Sequence, residues 1–260
     1  MELVTGGAGF IGSHLVDALV ERGKSVRVLD NFSSGRMQFL SHHDESGFVE
    51  VVNADLLDPD AVRQAMVGVD VVHHMAANPD IRLGTTVTDT DLKQGTVATY
   101  NVLEAMRLED VSQISFSSSS AVYGEAEIMP TPETYGPIKP ISLYGASKLA
   151  SEALITAWCG TFGAKSWVHR FANIVGPRGT HGVIYDFIHK LKVDPCRLEV
   201  LGNGMQEKSY MSAHDCVQAM VHLIDNTGED VNLYNLGTGD TCSVRRIAEI
   251  VVEESGLEGV

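Results

Sequence analysis

The sequence predicts an α/β fold built on a doubly wound parallel sheet, and three observations lead there. Short apolar, β-branched runs alternate with longer amphipathic segments through the first two thirds of the chain. Strand followed by helix, repeated, implies parallel strands with helices on both faces. The first strand also runs directly into a glycine-rich turn that opens a helix. Length permits such a core: 260 residues, 44% of them hydrophobic, suffice for one large domain or two closely joined ones.

In chain order, strands are expected at 2–5, 25–30, 48–53, 69–74, 113–117 and 165–170. Helical periodicity falls between them at 11–22, 61–67, 87–108 and 144–162. After residue 170 the alternation loosens. Gly176-Pro177 and Gly202-Asn203-Gly204 punctuate it, and helices are expected at 184–191, 214–224 and 244–252. The expected division is therefore a first domain over 1–170 and a smaller lobe over 171–260.

The turn reads Thr5-Gly6-Gly7-Ala8-Gly9-Phe10-Ile11-Gly12. It holds G-x-G-x-x-G from Gly7 and G-x-x-G-x-x-G from Gly6. Glycines at such spacing let the backbone turn tightly and approach a pyrophosphate, while the amides opening the helix attract the anion. Asp30 closes the second strand 18 residues after Gly12, where a carboxylate can accept both ribose hydroxyls of a dinucleotide. It would repel a 2′-phosphate, which favours NAD over NADP, although Arg36 lies six residues on. Asp55, after the third strand, is either an adenine contact or a solvated loop carboxylate.

Two Y-x-x-x-K spacings occur. Tyr135 and Lys139 enclose Gly136-Pro137 and precede Pro140, so no helix carries them on one face. Tyr144 and Lys148 lie on an unbroken helical stretch among small neighbours, Gly145, Ala146, Ser147, Ala150 and Ser151. A phenol with an ammonium beside it and a bound cationic nicotinamide is a candidate base. Four serines, 117–120, sit at the end of the fifth strand, the edge where ligands of open α/β sheets bind.

Together, TGGAGFIG, Asp30, SSSSAVYG, YGASK and RFANIVGPRG resemble the extended short-chain dehydrogenase/reductase superfamily. Within it the nearest likeness is to NAD-dependent nucleotide-sugar epimerases of the UDP-glucose 4-epimerase type. The resemblance implies a Rossmann-type sheet with a C-terminal substrate-binding lobe, shortened here because members usually carry a further tail. It implies cofactor contacts at Gly6, Gly9, Phe10, Ile11, Gly12, Asp30, Asn31, Ser34, Gly35, Asp55, Leu56, Ala76 and Ala77. It makes Tyr144 the base, with Lys148 holding the nicotinamide ribose and depressing the phenol pKa. Ser119 is the hydroxyl partner, with Ser118 as the register alternative. Substrate contacts fall on Ser119, Tyr144, Asn173 and Lys208, the last standing where the family usually has an Arg.

In related dehydratases an Asp-Glu pair occupies the positions of Ser120 and Ala121, and decarboxylases keep a Glu at the place of Ala121. Neither carboxylate is present here. The implied reaction is inversion at C4 of a nucleotide sugar, UDP-glucose/UDP-galactose or the N-acetyl pair. An NAD-dependent nucleotide-sugar dehydrogenase or reductase is the alternative, and a non-catalytic dinucleotide-binding protein a third. A homodimer formed through the helices near 87–108 and 144–162 is implied as well.

Net charge of −15 and the lack of basic runs argue against nucleic-acid binding. No stretch is long and apolar enough to suggest a membrane span, and no leader is evident, so the cytoplasm is expected. Cys159, Cys196, Cys216 and Cys242 form no C-x-x-C pair. His42-His43 and His73-His74 are read as strand neighbours pointing to opposite sides with no third ligand, so no metal is expected.

Overall fold

The computed structural model describes residues 1–257. The first part of the chain runs β1 (Glu2–Thr5), α1 (Phe10–Glu21), β2 (Val26–Asp30), β3 (Val49–Asn53), α2 (Pro59–Met66), β4 (Val71–His74), α3 (Ala98–Leu108), β5 (Gln113–Ser119), α4 (Leu143–Phe162) and β6 (Lys165–Phe171). It continues with β7 (Asn173–Val175), α5 (Val183–Val193), β8 (Glu207–Lys208), β9 (Tyr210–Ser212), α6 (Ala213–Asn226), β10 (Val231–Leu236), β11 (Cys242–Ser243) and α7 (Val244–Glu254). Local chemistry sets several ends. Asp58 caps α2 by accepting from the Asp60 and Ala61 amides, with Pro59 in the first turn. Ser142 caps α4 through the Gly145 amide, and Gly163 ends it in the left-handed region at φ 72°.

Seven strands form one parallel sheet in the order β10-β6-β5-β4-β1-β2-β3. The order reverses between β1 and β4, which opens a crevice at the carboxyl ends of the central strands. Alternation along β1 sends side chains to both faces. Leu3 packs in a cluster with Val102 and Ile155, whereas Val4 packs with Leu15 and Met220. Each of these side chains is fully buried, worth roughly 1.5–3 kcal/mol apiece.

The structure corrects the expected organisation in three places. The division at residue 170 is not a clean cut, because α6 packs on α1 in the same core and β10 pairs with β6 as the seventh strand. What remains as a lobe is the β7–β9 and β8–β11 pairs with α5 and α7, closed around Phe187, Leu191, Ile247 and Val251. The helix expected over 87–108 begins later and passes through a π-helical turn, Leu92–Val97, before α3. Finally, His42 and His43 lie in a 3-10 turn, Ser41–His43, rather than a strand.

Candidate active site

The β1–α1 turn is built around close approach. Gly6 has φ 67°, and a Cβ on it would come within 2.7 Å of the Ala76 Cα. A Cβ on Gly12 would collide with the Gly6 carbonyl oxygen. No side chain caps α1 at Gly9, so its first amides stay open toward the crevice. Asp30 is buried at the end of β2, where its carboxylate accepts from the Ala8 amide at 3.0 Å and the Phe32 amide at 2.8 Å. Burial pushes its pKa up, with those two amides pulling the other way. Gly35 closes over the same carboxylate, since a Cβ there would lie 2.8 Å from Asp30 Oδ1. Asn31 donates to Asp55 at 2.9 Å, and Asp55 also accepts from the Leu57 amide at 2.8 Å. Phe10 and Ile11 open α1, Leu56 is buried after β3, Ser34 is exposed beside Gly35, and Ala76 and Ala77 follow β4. A glycine cradle, open helix amides and a sequestered carboxylate together fit a dinucleotide.

Across the crevice, Ser119 ends β5 and Tyr144 and Lys148 lie on the first turns of α4. The small neighbours have a steric cause: a Cβ on Gly145 would sit 2.5 Å from the Ala121 carbonyl, and one on Gly95 would strike the Ser147 hydroxyl. Helix α4 thus presses directly against the end of β5 and the π turn. Burial pushes the Tyr144 phenol up to about 12, a hydrogen bond with Ser119 works against that, and the Asp91 carboxylate adds to it. Tyr144 as a whole is half-buried. The expected depression by Lys148 is absent from this arrangement. Lys148 Nζ instead donates to the Ser117 carbonyl at 2.5 Å, 4.8 Å above the Phe116 ring and 5.8 Å from that of Tyr144. Burial lowers its own pKa to about 8, against the pull of Glu152 and Asp91.

A buried polar network fixes this edge. Glu152 accepts from Arg170 Nε at 3.0 Å and Nη2 at 2.7 Å, and from the Ser118 hydroxyl. Arg170 reaches on to the Tyr123 hydroxyl at 2.9 Å, which donates to Asn235 at 2.7 Å. Ser118 is therefore occupied, and Ser119 is left as the hydroxyl at the phenol. Beneath lies His74, held neutral with its pKa lowered to about 3 by burial and the Lys148 charge, its ring nitrogens 2.7 Å from Thr5 Oγ1 and 3.1 Å from Thr99 Oγ1.

The substrate side is less complete. Asn173 donates to the Ser209 carbonyl at 3.0 Å and so binds β7 to β9. Lys208 is exposed on β8, next to Ser209. Sequence reasoning missed Asp91, a buried carboxylate whose Oδ1 accepts from Asn78 at 3.1 Å and whose Oδ2 has no partner. Thr88-Asp89-Thr90-Asp91 offers two equivalent acids. Only the π turn shows which one faces inward.

The family model described as "NAD dependent epimerase/dehydratase family" matches residues 2–237. The crystal structure of a UDP-galactose 4-epimerase superposes with a TM-score of 0.90 at 44% identity, over 100% of this chain and 84% of that one. The UDP-glucose 4-epimerase of Thermotoga maritima, solved with UDP-glucose, superposes with a TM-score of 0.90 at 31% identity, over 99% and 83%. UDP-glucuronic acid decarboxylase 4 of Arabidopsis thaliana is 32% identical over 261 residues, 96% of this chain and 56% of its own length.

Proposed function

Because the chain belongs to the NAD dependent epimerase/dehydratase family, we propose that it inverts C4 of a UDP-sugar, the UDP-glucose/UDP-galactose or N-acetyl pair, through a transient 4-keto sugar. It is an NAD-dependent enzyme of nucleotide-sugar chemistry. The observation that carries the finer reading is the neighbourhood of Ser119: Ser120 and Ala121 stand at the positions where, by the resemblance, related dehydratases carry an Asp-Glu pair. Without those carboxylates, the phenol hydrogen-bonded to Ser119 is the group we assign to take the proton.

When bound, NAD supplies a hydride acceptor and donor and, in its oxidised form, a positive charge. The β1–α1 turn would hold its pyrophosphate on open amides, and Asp30 would hold its adenine-side ribose. Tyr144 takes the proton of the C4 hydroxyl and later returns it, while Ser119 holds that oxygen in line. Bringing the phenol from about 12 to neutrality requires roughly 7 kcal/mol, at about 1.4 per unit. Lys148, turned toward Ser117, supplies part of this only if its ammonium swings to the phenol side of the groove. Lys208 and Asn173 would address the diphosphate, and a lysine makes a less directional clamp than an arginine.

Exposed apolar side chains on the outer helices, Val97, Tyr100, Leu108 and Phe162, support pairing of two copies through that face. Free cysteines among the described residues support a reducing compartment, the cytoplasm, and no helix there is long and apolar enough to cross a membrane.

The test incubates the protein with UDP-galactose and NAD and follows UDP-glucose, then repeats with Tyr144→Phe. Conversion in the wild type and its loss in the variant is the expected result. Equal rates reject Tyr144 as the base. NADH building up over many turnovers replaces epimerisation with the dehydrogenase reading.

A further inference from the structure

The outer face of α1 carries a side-chain cluster that the reaction does not use. Leu40, fully buried among α1 and β2 side chains, anchors the β2–β3 connection, and the 3-10 turn that follows brings two consecutive imidazoles to one point. His42 Nε2 and His43 Nε2 each lie 2.8 Å from the same oxygen, Asp17 Oδ1, and their rings are 4.0 Å apart. On the opposite side, Arg178 Nη1 lies 2.8 Å from Asp17 Oδ2. In a strand these neighbours would diverge. Here the turn converges them, and the third ligand sits 25 residues earlier on another element.

The three donor atoms lie within 4.8 Å of one another. We propose that Asp17, His42 and His43 form a chelating site for a borderline divalent transition cation of the zinc class, with water in the remaining position. Two imidazole nitrogens and one carboxylate oxygen suit such an ion at about 2.0–2.2 Å, and tetrahedral donors at that radius lie roughly 3.3 Å apart, so the 2.8 Å Nε2–Oδ1 separations would open slightly on binding. Hard magnesium and calcium ions want oxygen-rich shells and are poorly served. Arg178 fits as an outer partner, since it fixes the far carboxylate oxygen and leaves Oδ1 to the ion. The side chains of His42 and Asp17 are 47% and 21% exposed, which gives the ion a path from solvent.

In the metal-free state each Nε2 must donate its hydrogen to Asp17 Oδ1, an acceptor. On binding, each ring presents its Nε2 lone pair, its hydrogen moving to Nδ1 or leaving to solvent. The ion would staple α1, which opens at the glycine turn, to the connection carrying Asn31, Ser34 and Gly35. Through Arg178 it would also touch the segment between β7 and α5.

The experiment uses the full chain without an affinity tag, stripped by a chelator and titrated with Co²⁺ as a visible probe, with Zn²⁺ as competitor. A saturable four-coordinate ligand-field band at one equivalent, displaced by Zn²⁺, is expected. In His42→Gln/His43→Gln, whose amides can still donate to Asp17, affinity should fall about tenfold or more. Asp17→Asn and the half-exposed His42→Ala are measured in parallel, each checked for an unchanged melting profile, so that a misfolded double variant does not end the test. A wild-type spectrum of six-coordinate aquo character, or equal affinity in all folded variants, overturns the site and leaves the cluster a set of hydrogen bonds.

Discussion

Replacing Lys148 by methionine should make the protein more stable at neutral pH while abolishing turnover. Burial lowers the Lys148 pKa from its ordinary 10.5 to about 8 even with Glu152 and Asp91 nearby. A gap of that size corresponds to about 3 kcal/mol held against the folded state whenever the ammonium is charged in both states. Methionine fills similar space without the charge. It forfeits the bond to the Ser117 carbonyl, about 1 kcal/mol, so a net gain near 2 kcal/mol is expected at pH 7. The pH dependence carries the same information. A lysine depressed in the folded state leaves the unfolded chain with more bound protons between pH 8 and 10.5, so wild-type stability rises through that window. The variant lacks this rise. Its advantage should shrink by roughly 2 kcal/mol by pH 9.5. Urea unfolding followed by the fluorescence of Trp158 and Trp167 measures both curves. Taking their difference cancels groups common to both proteins, such as Cys216, whose thiol burial pushes up to about 12. A variant more than about 1 kcal/mol less stable than wild type at pH 7, or two parallel curves, would refute the reasoning.

Two further outcomes follow from the same site. Arg170→Met strands a buried carboxylate and should cost about 3–5 kcal/mol in a urea titration, most of it recovered when Glu152→Met is added. Simple additivity of the two losses would show that the pair is not coupled. Asp91→Asn removes a buried negative charge that raises both the phenol and the ammonium, so both limbs of the pH–rate profile should move toward acid, by the order of one unit. An unmoved acid limb would separate Asp91 from Tyr144.

What the sequence made legible depends on how local the physics is. The glycine turn and Asp30 were readable because tight backbone approach leaves glycine as the residue that fits, as the Gly6 and Gly12 contacts bear out. The Tyr144–Lys148 spacing was readable because one helical turn fixes it; Ser119 was the expected hydroxyl and Ser118 its register alternative, and what no spacing could show is that Glu152, 34 residues away, accepts from Ser118. Strand β10 was missed for a different reason. Its run Val-Asn-Leu-Tyr-Asn-Leu carries asparagines that look like loop residues, and Asn232 is buried only because the Ser166 and Glu229 carbonyls accept from it. The lowered phenol pKa was expected from the neighbouring ammonium together with the cationic nicotinamide of a bound cofactor. The protein's own groups act the other way, since burial pushes the phenol up and the ammonium faces Ser117.

The return of β10 to the sheet has a mechanical consequence. The chain passes between the sheet and the smaller lobe at 171–173, near 212–213 and again over 236–242. A body tied by several such straps cannot swing on a single hinge. Closing on a sugar would instead proceed by sliding and torsion of β7 and β9 over the rim, and a fragment cut at residue 170 would leave β6 as a naked, sticky border.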